Sequence, residues 1–261
     1  MKALRLSLTS VVIAFGFASL VRAENAPAVS AAELAAKLAA LQQDGSSYVR
    51  LKLDVKQGNT SKATYQLQIK QRRTANGSEV MYQVLFPREQ KGESVLLRQS
   101  GGKASGTLFI PPDKTQSLDG SKMREAFLGS DLSYGDIVEN FYSWPKQTLV
   151  GSEEINGTPC QILESKGGSS AYSSVRSWID LRHMVPMKIE KYSSSGQLVR
   201  RIDTTNVESD DKGRHLPAGL LIRRGGGETA TVIEGSRIKH DVAITDATFS
   251  PEGMKDLSAP H

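Results

Sequence analysis

The side chains able to hold a metal or attack a bond are few and far apart. His183, His215, His240 and His261 have no second histidine and no cysteine at ligand spacing, so strand-end or surface imidazoles are expected rather than a metal centre. Cys160, the single cysteine, sits in Pro159-Cys160-Gln161-Ile162-Leu163 with no His or Lys beside it. It reads as a small buried hydrophobe rather than a nucleophile, and it has no partner for an internal disulfide. The sequence contains no Gly-x-Ser-x-Gly elbow, no His-Glu-x-x-His pair and no Walker loop. Gly225-Gly226-Gly227 follows Arg223-Arg224, but the segment after it reads as strand, so the helix that a phosphate-cradling loop opens is missing. Asp210-Asp211-Lys212-Gly213 reads as a charged turn. Asn59, Asn76 and Asn156 head Asn-x-Ser/Thr triplets that matter only in a eukaryotic secretory route. No catalytic residue, cofactor or metal is expected, and the protein is not expected to be an enzyme.

What remains is apolar patterning. Ser30 and Glu33 have capping-box spacing, and Leu34, Leu38 and Leu41 follow at helical intervals, predicting an amphipathic helix over 30–43 that stops at Gly45. From Tyr48 the period changes to two, with Val49, Leu51, Leu53 and Val55 alternating against Arg50, Lys52, Asp54 and Lys56. Tyr65, Leu67 and Ile69 repeat it. Turn clusters at Gln57-Gly58-Asn59-Thr60 and Ala75-Asn76-Gly77-Ser78 make these antiparallel neighbours. Further strand segments fall at 80–86, 94–98, 106–110, 147–151, 161–165, 175–181, 185–192, 198–207, 216–222, 229–235 and 238–244. Short helices are expected over 133–141, where Ser133 and Asp136 repeat the capping box, and at 250–254. With no helix-length segment between most strands, a parallel βαβ fold is excluded. The class is mainly antiparallel β with a few α-helices.

The chain has 261 residues, 38% of them hydrophobic, and 33 basic against 28 acidic side chains, a net charge of +5. This composition suits a folded domain rather than a disordered chain. Lys2 and Arg5 precede an apolar run to Leu20, and Val21-Arg22-Ala23 closes it, the pattern of a signal peptide cleaved after Ala23. Without that segment 30 basic residues face 28 acidic ones, so the argument for a nucleic-acid partner falls away. No other stretch approaches the ~18 apolar residues of a membrane-spanning helix. The expected organisation is a signal peptide over 1–23, a linker and helix over 24–47, and one β domain over 48–261, exported to the periplasm.

One segment is more specific. Phe86-Pro87 is followed by Lys91-Gly92-Glu93-Ser94-Val95-Leu96-Leu97, by Leu108-Phe109-Ile110-Pro111-Pro112, and by Ala126-Phe127-Leu128-Gly129-Ser130-Asp131-Leu132-Ser133-Tyr134-Gly135-Asp136-Ile137. With Gly157-Thr158-Pro159-Cys160, Trp178-Ile179-Asp180 and Pro186-Met187-Lys188, this resembles the outer membrane lipoprotein-sorting protein family, the LolA-like proteins. The resemblance covers Tyr48 to about Tyr192 well and the rest loosely. This chain departs from the family in having Leu132 where a second aromatic is common and Gly135 directly after Tyr134.

The resemblance implies an incomplete, half-open β-barrel of about 11 strands, with helices covering its concave face and a hydrophobic cavity between the layers. It implies a periplasmic carrier or chaperone that binds acyl chains of lipoproteins or lipids and passes them between envelope membranes. An inner-membrane transporter or an outer-membrane acceptor would be its partner. The alternative from another class is an RseB-like envelope-stress sensor that binds lipid or misfolded protein and regulates a membrane partner. Candidate wall residues are Leu51, Leu53, Tyr65, Leu67, Tyr82, Val84, Leu97, Phe109, Trp178 and Met187, with Phe127, Leu132 and Tyr134 on a lid loop; core packing demands the same residue types. Ser133 reads as a helix cap rather than a head-group ligand. Lys91 reads as solvated.

Overall fold

The computed structural model describes residues 29–42, 45–74, 77–101, 103–168, 171–236 and 238–260; the expected leader and its cleavage point lie outside them. Ser30 caps helix α1 (Ala31–Gln42), its hydroxyl accepting from the Glu33 N–H at 3.2 Å while its own N–H donates to the Glu33 carboxylate at 3.0 Å. Leu34, Ala35 and Leu38 form the buried stripe of this helix.

Two antiparallel meanders follow. The first comprises β1 (Gly45–Gln57), β2 (Thr60–Thr74), β3 (Gly77–Phe86), β4 (Ser94–Ser100), β5 (Lys103–Ile110) and β6 (Lys114–Leu118). After a crossing segment that contains helix α2 (Tyr134–Val138), the second comprises β7 (Lys146–Ile155), β8 (Thr158–Lys166), β9 (Ser174–Asp180), β10 (Val185–Tyr192), β11 (Leu198–Ser209), β12 (His215–Arg224) and β13 (Thr229–Gly235). A two-residue β14 (Lys239–His240) pairs with β1. Within each meander every strand pairs with its sequence neighbour, and β1 pairs with β13 to join them, giving one 14-stranded sheet among the described residues with β6 and β7 at its edges. Edges that do not meet leave the curved sheet open. The Asn156-Gly157 turn between β7 and β8 has both residues at positive φ, 50° and 80°, the two-residue turn whose twist matches that of the flanking strands.

Alternation decides the faces. Leu53, Val55, Tyr65, Leu67, Ile69, Val80, Val84, Val95 and Leu97 pack with Met123, Phe127, Tyr134 and Val138 of the crossing segment. Leu163, Val175 and Ile179 of the second meander pack beneath α1 with Phe141 and Tyr142. These residues form the inner face. On the outer face Met81, Leu96 and Phe109 are covered by Phe249 and Met254 of the C-terminal segment. Polar side chains fasten that segment: Gln83 donates to the carbonyls of Met254 and Asp256 at 3.1 and 3.0 Å, Ser94 to Met254 at 2.6 Å, and Lys70 to Asp256 at 2.9 Å. Buried side-chain polar groups are thereby paired with backbone, as their desolvation requires.

The antiparallel class holds, with four differences in detail. The sheet has 14 strands among the described residues where the resemblance implies about 11, and the one that period two does not reveal is β6 (Lys114–Leu118), too polar to alternate. The strand expected over 238–244 shortens to β14, since Asp241 at φ 55° turns the chain away. The helix expected over 133–141 ends at Val138 before a 3₁₀ turn at Phe141–Ser143. At 250–254 one helical turn closes from the Met254 N–H to the Ser250 carbonyl at 3.0 Å and does not propagate.

Candidate functional site

The segment from the end of β6 to the start of β7, residues 119–145, crosses the inner face from one sheet edge to the other. Its centre is a tight loop. The Phe127 N–H bonds the Leu132 carbonyl at 2.8 Å, and Ala126 bridges Ser133. Leu128 at φ 49° and Gly129 at φ 69° supply the left-handed turn. Phe127, 1% exposed, plugs into the sheet with its ring edge-on to Tyr82 at 4.9 Å and to Tyr134 at 5.8 Å.

Each polar residue of the loop is tied down. The Asp131 carboxylate accepts from the hydroxyls of Thr229 and Thr231 at 2.7 and 2.8 Å, and the Asp131 N–H donates to Thr231 at 2.8 Å. Arg224 donates to the Ser130 carbonyl at 2.8 Å. Ser133 is the N-cap of α2, in a reciprocal capping box with Asp136. Asp136 is the hub: its carboxylate, 1% exposed, accepts from the Tyr172 hydroxyl at 2.9 Å and pairs with Lys191 at 2.7 Å and with Arg200. Glu139 adds a second carboxylate on Lys191 at 2.8 Å. Burial pulls the Lys191 ammonium below its ordinary pKa, Glu139 opposing. Burial, with the Arg224 charge, pulls the Arg200 guanidinium down to about 10. These charges have left water and depend on each other.

On one side of α2 lies an apolar cavity of about 250 Å³. Its walls include Val49 and Leu51 of β1, Tyr82 of β3, Leu216 and Leu220 of β12 and Ile233 of β13, and it is roofed by Leu132 and Ile137 of the crossing segment. Glu208, Ser209 and Asp210 lie at its rim. Burial pushes the Tyr82 phenol up to about 12, Arg73 opposing. On the other side lies a more polar cleft of about 820 Å³, lined by Ser133, Asp136, Val138 and Glu139 and reaching Gln99, Lys103, Trp144 and Tyr172. Helix α2 is the partition between the two.

Of the candidate wall residues, Leu51, Tyr82 and Leu132 line the apolar cavity. Leu53, Tyr65, Leu67, Val84, Leu97, Phe127 and Tyr134 are buried on the same face and belong to the packed cluster beside it. Phe109 and Trp178 lie on the outer face, and Met187 lines a separate cavity at the sheet end. The Trp178 indole N–H reaches Glu153 at 2.5 Å, and the Lys188 ammonium lies 3.7 Å from its ring centroid. Sequence reading passed over Val49, Ile137, Leu216, Leu220 and Ile233, and above all the ionic group. The signal was present: in Met187-Lys188-Ile189-Glu190-Lys191, period two puts Lys191 on the side of Ile189, a charge on an apolar face.

Lys91 is exposed, as expected. Asp210, Asp211 and His240 place their donor atoms within 4.8 Å of one another. The Arg214 guanidinium already sits among them, 2.8 Å from Asp210 and 2.9 Å from His240, so this group reads as an ion-pair cluster. Among the described residues no helix is long and apolar enough to cross a membrane.

Residues 76–256 match the model of a protein family described as "Uncharacterized protein". No curated protein matches the sequence. Among solved structures, the chain is similar to a DUF1329 family protein from Desulfovibrio piger, with a TM-score of 0.79 at 20% identity over 86% of this chain and 97% of that one. It is similar to an outer membrane lipoprotein-sorting protein domain from Vibrio parahaemolyticus, with a TM-score of 0.78 at 18% identity over 87% and 98%. A LolA superfamily protein from Nitrosomonas europaea gives a TM-score of 0.67 at 20% identity over 87% and 100%.

Proposed function

Because the chain belongs to the family matched over residues 76–256 and has the fold of the LolA-like, lipoprotein-sorting proteins, we propose that it is a non-enzymatic carrier of acyl chains in the periplasm. The cargo is a lipid or the acylated end of a lipoprotein, taken from one envelope membrane and delivered to another, with a membrane transporter or acceptor as partner.

The observation that carries this reading is the apolar cavity of about 250 Å³ roofed by Leu132 and Ile137. An enclosed apolar cavity of ~150 Å³ stays dry and takes up a ligand as large as benzene. The present cavity opens at the rim formed by Glu208, Ser209 and Asp210, and its apolar walls lack the packing contacts that an apolar ligand would supply. Each methylene transferred from water contributes ~0.8 kcal/mol, so a short length of chain gains by filling it, and a longer one binds well once α2 moves and opens the hollow toward the polar cleft. The ion pairs of Asp136 and Glu139 hold α2 in the closed position, which retains cargo in water and makes release depend on an acceptor surface.

The test is native mass spectrometry and lipid extraction on protein purified without detergent from its own envelope fraction, alongside Ile137→Arg. The expected result is an acyl-bearing species on the wild type that the variant lacks while keeping its far-UV circular dichroism. A wild type that carries no amphiphile and takes up none from added lipid overturns the reading.

A further inference from the structure

Far apart in sequence, His183 and His215 meet in space. His183 lies in the turn between β9 and β10, and His215 opens β12; their rings stand 4.3 Å apart between centroids, tilted by 41°. Both line the cavity of about 1010 Å³ at the end of the sheet where the β7–β8 and β9–β10 hairpins turn, which is not the cavity beneath α2. The Asp180 carboxylate accepts from the His183 ring Nδ1–H at 2.7 Å and is itself fixed by the Arg182 N–H at 2.9 Å. Its side chain is 11% exposed. A carboxylate on Nδ1 settles the tautomer and ring direction and leaves Nε2 with its lone pair, the arrangement that accompanies metal-bound imidazoles.

We propose that His183 and His215 form a binding site for a divalent transition-metal ion of the imidazole-preferring class, Zn²⁺ or Cu²⁺, with Asp180 as the positioning residue behind His183. Two imidazoles in contact, carried on separate elements, are within reach of one ion whose bonds to nitrogen are about 2.0–2.1 Å. Hard oxygen-seeking cations are disfavoured by nitrogen donors. Cys160 shares the cavity, but its thiol is turned to the Thr158 carbonyl at 3.4 Å, so coordination falls to the imidazoles, with the remaining positions left to water. The site is independent of acyl binding, because neither histidine touches the cavity beneath α2.

The experiment is titration of untagged, chelator-treated protein with Zn²⁺ by calorimetry and with Cu²⁺ by electron paramagnetic resonance. One ion should bind per chain, with a Cu²⁺ spectrum showing nitrogen coupling. His183→Ala and His215→Ala should each lower affinity by about 100-fold or more, and Asp180→Asn by about 10–100-fold, the usual range for a group behind the ligand. His240→Ala, in the Arg214 cluster, should change nothing. If His183→Ala fails to fold, His215→Ala at the exposed start of β12 carries the test alone. Absence of binding, an unchanged isotherm after removal of both histidines, or loss of binding in His240→Ala would overturn the proposal.

Discussion

Asp136 carries more of the structure than any other polar residue of the crossing segment. It caps α2 with Ser133 and compensates Lys191 and Arg200, both almost wholly buried. Asp136→Asn keeps the shape and much of the hydrogen bonding but strands the Arg200 guanidinium and leaves Lys191 to Glu139 alone, and breaking a buried pair on one side costs about 3–5 kcal/mol. Urea unfolding should therefore show a large fall in midpoint for this variant. Lys91→Ala, at an exposed turn, should leave the midpoint within about 0.5 kcal/mol of the wild type. Gly106 faces Leu97 across β4 and β5, where an added Cβ would lie 2.7 Å from the Leu97 side chain and 2.8 Å from the Leu96 carbonyl. Gly106→Ala overpacks that contact and should lower stability by about 1–3 kcal/mol in the same assay. The capping role of Ser133 was legible in the sequence, because a cap depends on residues three apart. The partners of Asp136 were not: Tyr172 comes from the β8–β9 connection and Lys191 and Arg200 from β10 and β11, and only the tertiary fold brings them to one carboxylate.

Strands and turns were the most legible elements, since period two and Gly-Asn or Asn-Gly pairs act locally. β10 (Val185–Tyr192) and β13 (Thr229–Gly235) have the bounds read from the sequence. The strand with the weakest pattern, β6, was missed because a polar edge strand has little apolar face to alternate. Which face each strand turns inward was a different matter. Phe109 and Trp178 obey the same period as their neighbours, yet the C-terminal segment and the Lys188–Glu153 pair cover them from outside. Between strands, carboxylates act as ties: Glu79 of β3 joins Arg72 of β2 and Arg98 of β4, and Glu164 of β8 joins Arg176 of β9. Burial raises both carboxyls, but the bonds from their basic partners outweigh it and hold each below the usual value of 4.5. A carboxyl depressed in the folded state stabilises fully above its unfolded pKa and loses that contribution as pH falls through the folded one. Stability should be flat on this account from pH 7 to about 4.5 and fall below it. Glu79→Gln should flatten that acid limb in denaturation measured at pH 7 and pH 3.

At the scale of the molecule, two meanders share one seam at β1 and β13, and the open edges are spanned by residues 119–145 rather than by strand pairing. Unlike a closed barrel, this sheet has its inner face covered by a crossing segment that contains one short helix. Leu132 and Ile137 face the apolar cavity while Asp136 and Glu139 face the polar cleft, so the crossing segment has an apolar side and an ion-paired side. This division was invisible in the sequence, where the same residues read as a capped helix with an apolar stripe. The measurement that bears on it most directly is photo-crosslinking with a fatty acid carrying a diazirine at its chain end, read by peptide mapping. Label is expected on Val49, Leu51, Tyr82, Leu132, Ile137, Leu216, Leu220 and Ile233, competed away by unlabelled fatty acid. Label confined to the outer face around Phe109 and Trp178, or no label above that of the unfolded chain, would contradict it.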